Sequence, residues 1–312
     1  MVRYVSFIHL SGTEATRLRA KADSVQGEMV KRLLAWFAAH PLRPAFLSIA
    51  LILLLGALAA IASSARDDRD WYPYLARTAD VTIEADRFAV TPVSDWSYTR
   101  AGEAAQTYTE AAFNLDELRE VWFMLEPQPG SELAAHTLLL FEFEGDRLLG
   151  LTIEARREQH EDYSALWGLF NAFELAYVWG SARDFLTRRT VMLDHEVFVY
   201  PVAIDDQQKR DLLRTLLRRT ESLEVRPRYY NTIFSNCTNE LAKAAGFDWA
   251  PAFILTGRSD EYLFERGIIP GPSFAEAHAR SGMTDFITAL NEAPPEAFDK
   301  ALLTELRRRN GL

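Results

Sequence analysis

A chain of 312 residues, 48 % hydrophobic and 25 % charged, carries enough apolar material for one large domain or two small ones. Its formal charge of −10 argues against a nucleic-acid partner, since phosphate backbones are held by Lys and Arg. One cysteine excludes an intrachain disulfide framework, the six scattered histidines show no zinc spacing, and no metal or cofactor is expected.

Residues 1–41 are polar and basic, with Arg3, Arg17, Arg19, Lys21, Lys31 and Arg32. Ala45–Ala62 then runs without a charge, about the 20 residues needed to cross a hydrocarbon layer. A cleaved signal peptide would start nearer the N-terminus, and a buried core helix would show a polar face. The pattern predicts one transmembrane helix over 42–65. With Arg43, seven basic residues precede the uncharged run, whereas Arg66 and Arg69 follow it closely. The positive-inside rule therefore places 1–41 in the cytoplasm and the long C-terminal part outside. Residues 66–80 read as a linker, in which Trp71, Tyr72 and Tyr74 fit either an aromatic belt or the first core positions.

Beyond the linker the pattern turns to strands. Val81–Glu84, Arg87–Val90, Trp96–Tyr98 and Val121–Leu125 are candidates. The clearest hairpin joins Ala135–Phe143 to Arg147–Glu154 around Glu144-Gly-Asp146. Pairing Phe143 with Arg147 collects Leu139, Phe141, Phe143, Leu149, Leu151 and Ile153 on one apolar face, and a shift of one residue would mix the faces. That register sets His136 opposite Glu154 on a second, more polar face, close enough for a carboxylate to hold an imidazole. A solvated pair at a strand end is the other reading. Tyr163–Trp179 carries apolar residues at helical spacing, Val197–Val202 reads as a strand, and Asp205–Leu223 reads as an amphipathic helix. The segment 274–312 is expected to be a polar, helical tail behind a domain spanning 81–273.

The stretch YYNTIFSNCTNELAKAAG, residues 229–246, holds Cys237. Asn236 and Thr238 suit a helix start, and Gly246 suits its stop. In the first helical turn, free N–H groups and the dipole stabilise a thiolate and make the cysteine a nucleophile near neutral pH. The competing reading is a small buried apolar residue.

Several pieces in order resemble one family: AHT at 135–137, TIEARRE at 152–158, YSALWGLF at 163–170, FELAYV at 173–178, ARDFLTRRT at 182–190, RPRYYNTIFSNCT at 226–238 and SDEYLFERG at 259–267. From about Trp71 to Gly271 the chain resembles the N-terminal periplasmic domain of the Lnb-type bacterial lipoprotein N-acyltransferases. The resemblance implies an α+β, papain-like (NlpC-type) domain in permuted order, with an antiparallel sheet and helices and with histidine before cysteine. It further implies an inner-membrane protein with its domain in the periplasm. Carried over by position, the His of AHT is His136 and the Cys of NCT is Cys237. Departures are Thr91-Pro-Val-Ser94 in place of a His-Asn-Val-Arg stretch, Asn239 in place of a second Thr, and a Glu-rich segment without Trp-Gly before AHT. They leave the pair intact and bear on substrate choice.

The chemistry such a site needs is a nucleophile, a base and a group that orients the base. Cys237, His136 and Glu154 are the candidates. The N–H of Cys237 and Asn236 are the expected oxyanion donors, with Thr238, Asn231 and Tyr230 as neighbours. Three functions compete: a thiol acyltransferase with phospholipid and lipoprotein as substrates, a cysteine peptidase or amidase on cell-wall peptides, and a non-catalytic binding module. Oligomeric state is left open.

Overall fold

The structure is a computed structural model and describes residues 27–28, 31–32, 35–36, 42–62 and 65–312. Apart from those positions, the cytoplasmic segment expected over 1–41 lies outside the described residues, as do Ser63 and Ser64 of the expected span. The chain divides into two compact units, Met1–Ala62 and Ser63–Leu312.

In the first unit, helix α1 runs Leu42–Ala62. Leu and Ala dominate it, and Pro44 sits in the first turn, where a missing N–H breaks no intrahelical bond. Phe46, Leu47, Ile49, Ile52 and Leu55 are all exposed, so the apolar surface runs around the helix. Its side chains are described for 45–59, a rise of about 22 Å against a hydrocarbon layer of about 30 Å. Among the described residues, no helix is long and apolar enough to cross a membrane.

The second unit is built on one sheet whose strands are β1 Asp80–Glu84, β2 Arg87–Ser94, β5 Tyr108–Asn114, β6 Leu118–Pro127, β7 Ala135–Phe143, β8 Arg147–Arg156, β9 Glu174–Gly180 and β10 Phe198–Pro201. A separate ribbon joins β3 Ser97–Thr99 to β4 Gly102–Ala105. The sheet order is β1-β2-β9-β8-β7-β6-β10, with β5 also on β2. All pairings are antiparallel except β2–β9, which meet in parallel at Ser94 and Gly180, so the expected antiparallel sheet is in fact mixed.

The central hairpin pairs Phe143 with Arg147, Phe141 with Leu149 and Leu139 with Leu151. The apolar face built from these residues is buried beneath helix α3, Asp206–Val225, through Leu212, Leu213, Leu216 and Leu217. Asp205 caps α3 in a box with Gln208, fixing its start.

The opposite face is not the polar one expected. Leu138, Leu140, Leu148, Ala176 and Val178 form a second core there. Helix α2, Ala182–Thr187, covers it with Phe185 and Leu186. The C-terminal helices α6 Phe274–Ser281, α7 Thr284–Leu290 and α8 Phe298–Asn310 follow, and Met283, Ile287, Phe298, Leu302, Leu303 and Leu306 complete this core. Each such side chain stabilises by about 1.5–3 kcal/mol on burial. The segment 274–312 is thus a layer of the domain and not a tail. The supposed linker is also part of it, since Trp71, Tyr74, Leu75 and Ala79 are buried.

One element differs in kind. Tyr163–Trp179 is not a helix: a short 3₁₀ turn at Trp167–Phe170 ends at Asn171 in the left-handed conformation, and β9 follows. All seven residues of β9 are buried, because it lies in the sheet interior with a core on each side. A strand buried on both faces loses the alternation that marks a strand.

Within β8 and β9, Gly150 faces Gly180 across the ladder. A Cβ at either would lie 2.5 Å from the Phe185 ring, so the missing side chains seat α2 directly on the sheet.

Candidate active site

Helix α4, Cys237–Ala244, begins where Asn236 caps it: the Asn236 Oδ1 accepts from the Asn239 N–H at 2.7 Å. Cys237 is therefore the first helical residue, buried, with its N–H among those that no helical carbonyl can reach. The helix stops at Gly246, whose φ of 79° suits glycine. Glu240 anchors it from below. That carboxylate is 1 % exposed, accepts from Ser235 Oγ at 2.7 Å and Tyr177 Oη at 2.8 Å, and pairs with Arg219, Arg228 and Lys243. Burial alone would raise the Glu240 pKa, but the Ser235 hydrogen bond and the Arg228 charge hold it at about 2.

The N-terminus of α4 lies against the first residues of β7. Thr137 Oγ1 and Thr238 Oγ1 are 3.0 Å apart, and the thiol is 3.8 Å from Thr238 Oγ1. The nearby His136 charge, with polar contributions from His136 and Thr137, favours the Cys237 thiolate.

On the far side of the ring, His136 Nε2 is 2.6 Å from Thr152 Oγ1 and 3.1 Å from Glu154 Oε1. Thr152 Oγ1 donates to Glu154 Oε1 at 2.8 Å, so the hydroxyl accepts from Nε2–H. Nδ1 is then the nitrogen left to face the thiol.

Burial pushes the Cys237 thiol up, and the charge and hydrogen bond of His136 more than reverse this, lowering it to about 7. Burial pushes His136 down, and the Glu154 carboxylate and the Cys237 thiolate outweigh it, raising the imidazole to about 10. Burial likewise works against Glu154, yet His136 and Arg189 hold it at about 2. Both shifts favour a thiolate paired with an imidazolium.

Glu154 belongs to a longer buried chain of charge. Arg189, 1 % exposed, donates from Nε to Glu126 Oε2 at 2.7 Å and lies 3.9 Å from Glu154 Oε1 through Nη2. Glu126 Oε1 is 2.6 Å from His195 Nδ1, and Glu126 is the cross-strand neighbour of His136. Burial raises Glu126, and Arg189, His195 and His136 bring it down to about 2.

The remaining expected residues hold the loop that leads to Cys237. Asn236 Nδ2 donates both its hydrogens, to Thr232 O at 2.8 Å and Phe253 O at 2.7 Å. Its amide is thus not a free oxyanion donor, a correction to the expectation from sequence. The N–H groups of Cys237 and Thr238 are the ones the helix geometry leaves for that place. Asn231 Oδ1 accepts from the N–H groups of Ile233 and Phe234, closing a turn. Tyr230 Oη is 3.1 Å from Tyr163 Oη, and burial together with the nearby thiolate pushes the Tyr230 phenol up. Among the described residues, no cluster of three or more His, Cys, Asp or Glu is placed to hold a metal ion.

Sequence reasoning did not single out Thr137, Thr152, Glu126 or Arg189. Thr152 and Arg189 lie inside TIEARRE and ARDFLTRRT, so the motifs marked them without giving a role. Asp260, in SDEYLFERG, accepts from Tyr200 Oη at 2.6 Å and sits 3.3 Å from His278 Nδ1, fastening α6 to β10.

The second unit is therefore an α+β domain in which a buried cysteine and a partly buried histidine and carboxylate are drawn together at one end of a mixed sheet. The chain belongs to the family of the Lnb N-terminal periplasmic domain, which it matches over residues 104–260, about half its length. That stretch includes His136, Glu154, Arg189 and Cys237. No curated protein and no solved structure matches the chain.

Proposed function

We propose that this is a membrane-anchored periplasmic thiol acyltransferase that moves a fatty acyl chain from phospholipid to the N-terminal amine of a lipoprotein. The observation that carries the reading is Cys237 at a helix N-terminus beside an imidazole whose far nitrogen is held by Thr152 and Glu154. The thiolate attacks the ester carbonyl, and the N–H groups of Cys237 and Thr238 receive the oxyanion. Imidazolium gives its Nδ1 proton to the leaving alcohol oxygen, leaving a thioester. Neutral His136 then takes a proton from the incoming amine, which attacks the thioester to form an amide and return the thiolate. Glu154 holds the ring throughout. A helix bearing the cysteine against strands bearing the histidine, with histidine earlier in the chain, supports a permuted papain-like arrangement.

Helix α1 is consistent with the anchor: its 21 residues rise about 31 Å, comparable to the thickness of the hydrocarbon layer, and carry no charge from Ala45 on. The basic residues before it favour a cytoplasmic N-terminus.

The test is the intact mass of the purified protein after incubation with phospholipid vesicles. One acyl chain should appear on Cys237, be absent in Cys237→Ser, and be discharged as an amide by a diacylated lipopeptide with a free α-amine. An N-acetylated lipopeptide should not discharge it. Cleavage of cell-wall peptides without any acyl adduct would instead make the protein an amidase.

A further inference from the structure

Three loops meet around the N-terminus of α4. Thr232 Oγ1 donates to Ala165 O at 2.7 Å and Thr232 N–H to Gly168 O at 3.2 Å, tying 163–170 to the loop before Cys237. Asn236 and Asn239 both donate to Phe253 O, tying in the turn at 251–253, and Gly257 N–H bonds Leu133 O just before β7. The tips of these loops are apolar. Leu166, Trp167, Phe170, Phe234, Trp249 and Leu255 are between 42 % (Leu255) and 64 % (Phe234) exposed, and Leu133 and Tyr163 continue the rim. Among the described residues of the second unit, the only other large apolar side chains so exposed are Val225 and Leu312. Exposed apolar surface is therefore gathered at one place, around the cysteine, and such gathering marks a contact surface.

What covers it follows from composition and from where the chain enters the domain. Trp, Tyr, Phe and Leu on separate loop tips form a set of protrusions, which suits insertion at the level of lipid headgroups. A peptide would be taken into a groove instead. The domain is entered on the same side. Arg66 N–H bonds Glu174 Oε1 at 3.2 Å, and Arg69 grips both oxygens of that carboxylate at 3.1 and 2.9 Å. Glu174 bridges to Tyr229, and the neighbouring Phe173 ring stacks on Tyr163 with centroids 5.8 Å apart. In sequence, Arg66 follows within four positions of Ala62, where the uncharged apolar stretch ends. We infer that the rim of Leu166, Trp167, Phe170, Phe234, Trp249 and Leu255 docks on the outer surface of the bilayer, so that Cys237 opens towards lipid and not towards water.

This inference rests on the reading of α1 as a membrane span, but its test does not involve acyl transfer. The full-length protein, with p-benzoylphenylalanine replacing Leu166, Phe234 or Trp249, is reconstituted into vesicles of phosphatidylcholine and phosphatidylglycerol carrying a labelled acyl chain, then floated and irradiated. Glu144, in the turn at the other end of the β7–β8 hairpin, is the reference position. The three rim positions should give at least tenfold more lipid adduct than position 144. In the Leu166→Asp/Phe234→Asp variant, adduct at position 249 should fall at least tenfold, while the melting temperature and the alkylation rate of Cys237 by iodoacetamide stay as in wild type. Protein that floats but labels equally at rim and reference overturns the docking and leaves the anchor standing. Protein that does not float overturns both, and adducts to a second copy of the chain make the rim a dimer interface instead.

Discussion

The two ends of the β7–β8 hairpin are both charged, and they hold their charge in different ways. At the turn, Arg147 pairs with Glu117 and Arg119 with Glu144, all partly open to water. The buried Glu142 there is met by Trp122 Nε1 at 2.8 Å and by Arg307, which also reaches Asp146 at 2.9 Å. Arg307 is shared by two carboxylates, but Glu142 keeps the Trp122 hydrogen bond and the other groups are open to water, so a change at one is screened and stays local. At the other end the partners are shared: His136 leans on Glu154, Glu154 and Glu126 share Arg189, and Glu126 holds His195. A proton gained or lost anywhere in that row changes the field at the thiol. Paired charges fasten the first end, whereas shared charges keep the second sensitive to its own ionisation.

The comparison can be broken most sharply at the thiol. Cys237→Ala should abolish the acyl adduct, and His136→Ala should slow its formation by about 10²–10⁴-fold, read by intact mass over time. Adduct at the wild-type rate in His136→Ala would remove the base from the site.

Next comes the shared cation. Arg189→Met leaves the buried Glu126 and the partly buried Glu154 without it and should cost about 3–5 kcal/mol in urea unfolding. Arg307→Met, at the turn, should cost about 1–2 kcal/mol, because Glu142 keeps the Trp122 hydrogen bond and Arg307 is partly open to water. Equal costs would erase the distinction between the two ends.

Glu154→Gln should slow acylation by about ten- to a hundredfold and reshape its pH profile. In wild type, activity should rise as the thiol loses its proton near about pH 7 and fall as the imidazolium loses its own near about pH 10. Glu154 is what raises the imidazole, so without it the falling limb moves to lower pH and the window narrows from above. An unmoved upper limb in kcat/KM would take Glu154 out of the mechanism. The smallest effect is expected from Glu117→Gln at the turn, about 0–1 kcal/mol in stability, with acylation unchanged.

How far each region could be read from sequence follows from how it is buried. The hairpin register was legible because Leu139, Phe141 and Phe143 alternate up to a Gly-Asp turn and face Leu149, Leu151 and Ile153, and only one pairing keeps them together. The same register carried His136 to Glu154. Strand β9 was illegible because Leu175 and Tyr177 enter one core while Ala176 and Val178 enter the other, which erases the period of two. The C-terminal helices read as a tail because His136 and Glu154 mark as polar the face that Leu138 and Leu140 make apolar. Thr137 and Thr152 stand in AHT and TIEARRE without a role to read, since threonine is ordinary in strands and only the fold shows what its hydroxyl touches. The cap at Asn236 was readable, but its cost to the oxyanion role was not, because the second amide bond goes to Phe253, seventeen positions away.

The two glycines under Phe185 set a thickness. Arg189 hangs from α2, where its Nη1 donates to Phe185 O at 2.8 Å, so the height of that helix above the sheet fixes how far the guanidinium reaches. One methyl group at position 150 or 180 would lift the ring and, with it, the arginine that serves two carboxylates. Positions 150, 180 and 185 are accordingly expected to vary together among relatives: where either glycine gains a side chain, residue 185 should be smaller than phenylalanine. A double-mutant cycle of Gly150→Ala with Phe185→Leu would read the same coupling in this chain, the second change recovering part of what the first removes.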